Sequence, residues 1–137
     1  MTRIPPLIVT LLTLLLSACQ GKQGAPLSEG NDPRADSAAV QYYLLRVQGR
    51  FNEYVQAMHS CQESTPEYRK RIVDMLRQHQ VQIDKDKKGV RQVKALRTEK
   101  NSQGDVADVY LSVTYNDGSH EEIIFPLVRK GGTWKIQ

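Results

Sequence analysis

The chain is poor in the residues that most often announce chemistry. It has two cysteines, one tryptophan and two phenylalanines, and its three histidines, His59, His79 and His120, stand far apart. No two of them sit at i, i+4, and none lies at ligand spacing from a cysteine, so the pattern gives no support to a metal site or to any other cofactor. No serine occupies a nucleophile elbow, and no glycine-rich loop leads into a helix as a phosphate cradle does. There is no apolar run long enough to span a bilayer as a helix, which takes ~20 residues. Excess charge is also scarce: 19 Lys+Arg face 15 Asp+Glu, and one of the 19, Arg3, falls in the leader described next. The remaining excess of about +3 is far from the basic stripe of a nucleic-acid binder.

What is present begins at the amino terminus. A single basic residue, Arg3, precedes the apolar run Leu7 to Leu16, and small residues close it at Ser17 and Ala18. A basic start, a short apolar middle and a small-residue end describe an export signal. Leu16-Ser17-Ala18-Cys19 resembles a bacterial lipobox. The resemblance implies cleavage before Cys19, lipidation of its sulfur and acylation of its new amino group. Two or three buried acyl chains hold a protein on a membrane where one gives only marginal attachment. Gln20 follows the cysteine where Asp would favour retention at the inner membrane, which implies the inner leaflet of the outer membrane in a two-membrane bacterium, or the outer face of the plasma membrane where there is a single membrane. The alternative is an ordinary secretory signal that ends in Ser-Ala-Cys.

This reading divides the chain into a signal peptide (1–18), a lipidated cysteine with a flexible tether (19–31) and one domain (32–137). The tether is rich in Gly, Pro and small polar residues and has no periodicity. Lipidation of Cys19 would leave Cys61 without an internal partner in an oxidising compartment. Three residues after Met58, on what reads as an apolar helix face, Cys61 is expected to be a small buried hydrophobe; intermolecular pairing is the alternative.

Within the domain, Asp32-Pro33 is a cap-then-proline helix start, with Asp36 or Ser37 as a competing start. Apolar residues then recur from Val40 through Tyr43, Leu44, Val47, Phe51, Tyr54 and Val55 to Met58, with Gly49 marking a kink or a dividing turn. Thr65-Pro66 opens another helix with the stripe Tyr68, Ile72, Met75, Leu76 and His79, and Asp84 to Gly89 reads as a charged loop. From Val90 the period changes to two. Val93, Ala95 and Leu96 cannot share one face without a bulge. Ala107, Val109, Leu111, Val113 and Tyr115 alternate cleanly, and Asn116 to Ser119 forms a hairpin turn. Pro126 places a bulge or an edge in the next strand, and Thr133 to Gln137 is the last. Helices followed by a meander predict an α+β fold, with amino-terminal helices packed on a curled antiparallel sheet of about four strands.

Tyr43-Leu44-Leu45 to Gly49-Arg50-Phe51 and Ala57-Met58, with the ending Leu127 to Ile136 in which Gly131-Gly132 precede Thr133-Trp134-Lys135-Ile136, resemble the opening helices and closing hairpin of the nuclear transport factor two-like (cystatin-like) superfamily. The resemblance implies a cone between helices and sheet. Enzymes of that group place an ionisable base inside the cone, but the inward set here is apolar, and no catalytic residue is carried across. The chain is therefore not expected to be an enzyme.

The remaining feature is a basic cluster: Lys85, Lys87, Lys88, Arg91, Lys94 and Arg97. It reads either as a face for anionic envelope polymers, lipid headgroups or an acidic partner, or as a solvated surface kept from edge pairing by its lysines. The expectation is a membrane-anchored periplasmic lipoprotein serving as a protein-binding or envelope-assembly module. Its partners would be the membrane through Cys19 and an envelope protein, and not nucleic acid. Two alternatives stay open: a small-molecule-binding protein or enzyme using the cone interior, and an inhibitor or immunity-type protein directed at a hydrolase.

Overall fold

The computed structural model of the protein describes residues 28–30 and 32–137. The signal peptide, Cys19 and most of the stretch read as tether lie outside the described residues. Ser28–Gly30 belongs to that stretch and yet forms a strand, β1, with Gly30 opposite Thr98 and Ser28 opposite Lys100. Such pairing rests on backbone groups alone and leaves no periodicity in three residues, so the sequence carried no sign of it.

Asp32 caps α1 (Pro33–Val47) by accepting bonds from the Arg34 and Ala35 amides at 3.1 and 3.2 Å. Gly49, at φ +74°, takes the left-handed turn that separates α1 from α2 (Phe51–Gln56). A 3₁₀ turn at His59–Cys61 follows, and it carries the buried Cys61 on a turn and not on a helix face. Thr65 then caps the 22-residue α3 (Pro66–Lys87). This helix runs through Asp84–Lys87, so the expected charged loop is its last turn. Hydrogen bonds, and not an apolar period, hold that end. The Asp117 amide donates to the Lys87 carbonyl at 3.1 Å and the Asn116 side chain to the Lys88 carbonyl at 2.8 Å.

The sheet is a five-stranded antiparallel meander in the order β1-β2-β3-β4-β5, with β2 (Val90–Lys100), β3 (Val106–Tyr115), β4 (His120–Lys130) and β5 (Thr133–Ile136). Ala95 faces Leu111 while Arg97 faces Tyr110, which leaves Leu96 as the bulge residue. Pro126 lies opposite Asp108 where β4 passes beyond the last paired residue of the short β5, a place where its missing N–H breaks no ladder.

The helices cover one face of this curled sheet. Ala107, Val109, Leu111, Val113 and Tyr115 are buried as their alternation predicts, and burial of each valine or leucine contributes about 1.5–3 kcal/mol. Phe125 joins them and meets the edges of Tyr43 and Tyr54 at centroid distances of 6.5 and 6.4 Å. Polar ties fix α1 to the sheet: the buried Thr98 hydroxyl donates to Asp36, Lys100 reaches Asp32 at 2.9 Å, and the Tyr42 hydroxyl donates to the Trp134 carbonyl at 2.6 Å. Among the described residues no helix is long and apolar enough to cross a membrane.

Candidate functional site

The mouth of the cone is a cleft of about 460 Å³ between α1, the second half of α3 and the start of β4. Tyr43 and Tyr115 lie at its buried floor, Ile83 and Ile123 on its sides, and Arg46, His79, Gln82, Asp86, Lys87 and Glu121 around its rim. Helical spacing explains the α3 contribution, since positions 79, 82, 83 and 86 recur at three and four on one flank. On the sheet side, Tyr115 reaches the mouth as the last inward residue of β3.

The rim charges are largely spent on one another. Arg46 bonds His79 Nδ1 at 2.9 Å, and its guanidinium lies 5.6 and 5.5 Å from the ring centres of Tyr43 and Tyr54. The Tyr115 hydroxyl donates to Glu121, whose carboxylate also faces Lys87 at 3.8 Å. Lys87 in turn sits 4.2 Å from the centre of the Tyr115 ring. Burial pushes the Tyr43 phenol up, with Arg46 opposing it, and burial together with the Glu121 carboxylate pushes Tyr115 up well beyond the ordinary phenol range. Both phenols are therefore neutral donors at physiological pH. Inside the mouth Phe125, Tyr54, Leu111 and Val113 are buried in one core cluster, and among the described residues no Asp, Glu, His, Lys or Arg side chain is buried there. The arrangement is suited to recognition: polar donors and acceptors surround a shallow aromatic floor.

One flank of α3 extends this surface. Its buried residues are Val73, Leu76 and Gln80, not the full stripe expected from the sequence. Tyr68 is 44 % exposed and Met75 58 % exposed, His79 is exposed and Ile72 half-buried. The sequence supports two overlapping stripes one residue apart, and the helix buries the one containing Gln80, whose amide donates to Asp84 at 3.2 Å. Tyr68, Ile72 and Met75 then continue the line of His79, Gln82 and Asp86 away from the cleft.

The six basic residues do not form one face. Lys85, Lys87 and Lys88 lie at the end of α3, with Lys88 in the left-handed conformation at φ 61°. Arg91 is the extra residue at the register shift between Val90 and Gln92. Lys94 and Arg97 stand opposite Ser112 and Tyr110, on the sheet face away from the helices. Arg97 is occupied there, 3.6 Å above the Tyr110 ring and 3.0 Å from Glu122. Of this set only Lys87 joins the cleft. Sequence reasoning did not single out Arg46 or Glu121. A lone arginine between Tyr43, Val47 and Tyr54 was the available signal for Arg46, whereas Glu121 lies in a polar strand start that resembles any exposed edge. Among the described residues no three His, Cys, Asp or Glu side chains converge as a metal cluster.

No family model matches the chain, and no curated protein matches it. Among solved structures it is similar to a Campylobacter jejuni protein described as a "Putative NTF2-like transpeptidase". The two share 13% identity at a TM-score of 0.62 over 74% of this chain and 95% of the other. The similarity shows the NTF2-like α+β fold.

Proposed function

We propose that the chain is a lipid-anchored module of a bacterial envelope, held at Cys19 on the inner leaflet of the outer membrane, that binds a partner protein through the cone mouth and the adjoining flank of α3. The observation that carries this reading is the line of exposed Tyr68 and Met75, with half-buried Ile72 between them, running along α3 toward the cleft. Exposed apolar residues scattered singly need no explanation, but a contiguous line beside a concave polar-rimmed floor has the composition of a recognition surface. The packed core supports the same reading, because it offers surface features and not an interior chamber for recognition.

The neighbour's description raises an acyl-transfer alternative. Acyl transfer through a covalent intermediate needs an activated nucleophile beside a base. The cleft lining contains no serine, threonine or cysteine, and Cys61 is 3 % exposed in its own turn. Recognition therefore has the better support.

The test is crosslinking in intact cells followed by affinity purification through a carboxyl-terminal tag. A discrete envelope protein is expected with the native chain and its loss with Met75→Glu, whose exposed position leaves folding intact. Equal recovery from Met75→Glu would overturn the surface assignment. The anchor is tested separately: Cys19→Ala should move the protein out of the detergent phase, and continued partition into it would refute lipidation.

A further inference from the structure

The opposite flank of α3 carries a second, chemically different groove. It holds about 440 Å³ between α2 and the first half of α3. Its floor is apolar, formed by the buried Val55 and Val73. Asn52 and Gln56, one helical turn apart on α2, make one wall, and Arg69, Lys70 and Arg77 line the other with Asp74 as the single carboxylate of the lining. The cations are not equally engaged. Arg77 pairs with Asp74 at 3.2 Å, and Arg69 uses Nε and one terminal nitrogen on the Ser64 carbonyl at 3.3 and 2.9 Å. Lys70 makes no ion pair among the described residues, and the second terminal nitrogen of Arg69 makes no hydrogen bond among them. Three cations against one carboxylate leave the groove with a surplus of positive charge above an apolar floor.

We propose that this groove binds an acidic, extended peptide segment of a partner protein, with a carboxylate at Lys70 and Arg69 and a neighbouring apolar side chain on Val55 and Val73. Each part of the lining selects for that occupant. The guanidinium and ammonium groups favour carboxylates. The amides of Asn52 and Gln56 each offer a donor and an acceptor, the complement of a peptide group. The valine floor asks for an apolar side chain, which a lipid headgroup or an anionic polysaccharide does not supply. The groove lies across α3 from the cone mouth, so the proposal is independent of the surface assigned above.

Binding of a fluorescein-labelled peptide of alternating Glu and Leu to the full chain tests it, with an alternating Lys and Leu peptide and phosphatidylglycerol vesicles as comparisons. Fluorescence anisotropy is expected to show saturable binding of the acidic peptide alone, weakening with salt as exposed charge pairs do. Amide chemical shifts should move at Asn52, Gln56, Lys70 and Val73 and stay fixed at Gln82 and Lys94. Lys70→Glu, at an exposed position, should weaken binding about tenfold, with Lys70→Gln intermediate and both variants retaining the native circular dichroism. Absence of binding at about 1 mM peptide, equal binding of the basic peptide, shifts centred elsewhere, or vesicle binding with the same shifts would each overturn the proposal.

Discussion

Replacing Phe125 by alanine probes the filled interior, which separates a surface-recognition module from a chamber for chemistry. Phe125 is 4 % exposed and meets Tyr43 and Tyr54 edge-on, at interplanar angles of 75° and 87°. Truncating a buried phenylalanine to alanine costs ~3–5 kcal/mol through lost transfer energy and the cavity left behind. That is a large share of the ~5–15 kcal/mol that holds a domain of this size together. Phe125→Leu keeps most of the apolar volume and gives up two edge contacts worth ~0.5–1.5 kcal/mol each, so it should cost about 1–3 kcal/mol. The assay is urea unfolding followed by the fluorescence of Trp134, the chain's single tryptophan, which is buried on β5. Similar denaturant slopes would confirm that stability and not compactness has changed. A loss below about 1 kcal/mol for the alanine variant, or equal losses for alanine and leucine, would refute the packing described for the cone.

Four further outcomes follow from particular contacts. Gly49→Ala should cost about 1 kcal/mol through backbone strain alone, because φ is +74° and nothing lies within 4 Å of an added Cβ; a neutral result in the same unfolding assay would contradict the turn. Burial disfavours the charged form of Asp32, but the bonds from Lys100, Ala35 and Arg34 outweigh it and hold its carboxyl below the ordinary range. The stability that Asp32 adds over Asp32→Asn should therefore be full at neutral pH and vanish as acid titrates the folded carboxylate; a gap that persisted at the lowest pH would contradict the linkage. Thr98→Val removes the buried hydroxyl that donates to Asp36 and should cost about 1–2 kcal/mol in thermal or urea unfolding, with a cost near zero refuting the tie. Reversing Lys88, Arg91 and Lys94 to Glu should leave partner recovery from crosslinked cells unchanged, since these residues are distributed over the end of α3 and the opposite face of the sheet.

The features that were legible in the sequence are those with local causes. Asp32-Pro33 and Thr65-Pro66 announce helix starts because a side-chain cap and a fixed φ act within one turn. Gly49, the bulge at Leu96 and the turn at Asn116 to Ser119 follow from backbone freedom and alternation. What stayed hidden depends on distant partners. The strand Ser28–Gly30 exists through backbone bonds to residues some seventy positions away. Asp84–Lys87 is helical because a hairpin turn caps it, and not because it carries an apolar period. The facing of α3 was ambiguous because polar Gln80 is inside while Tyr68 and Met75 are outside, the reverse of what hydrophobicity alone ranks. The cleft shares that origin: Arg46, His79 and Glu121 come from three elements and meet only when the fold closes.

A photo-crosslinking amino acid placed in turn at Met75, Gln82 and Lys94 in intact cells tests the central claim directly. One discrete adduct to an envelope protein is expected from Met75 and Gln82 and none from Lys94. An adduct from Lys94 alone, or none from Met75 and Gln82, would contradict it.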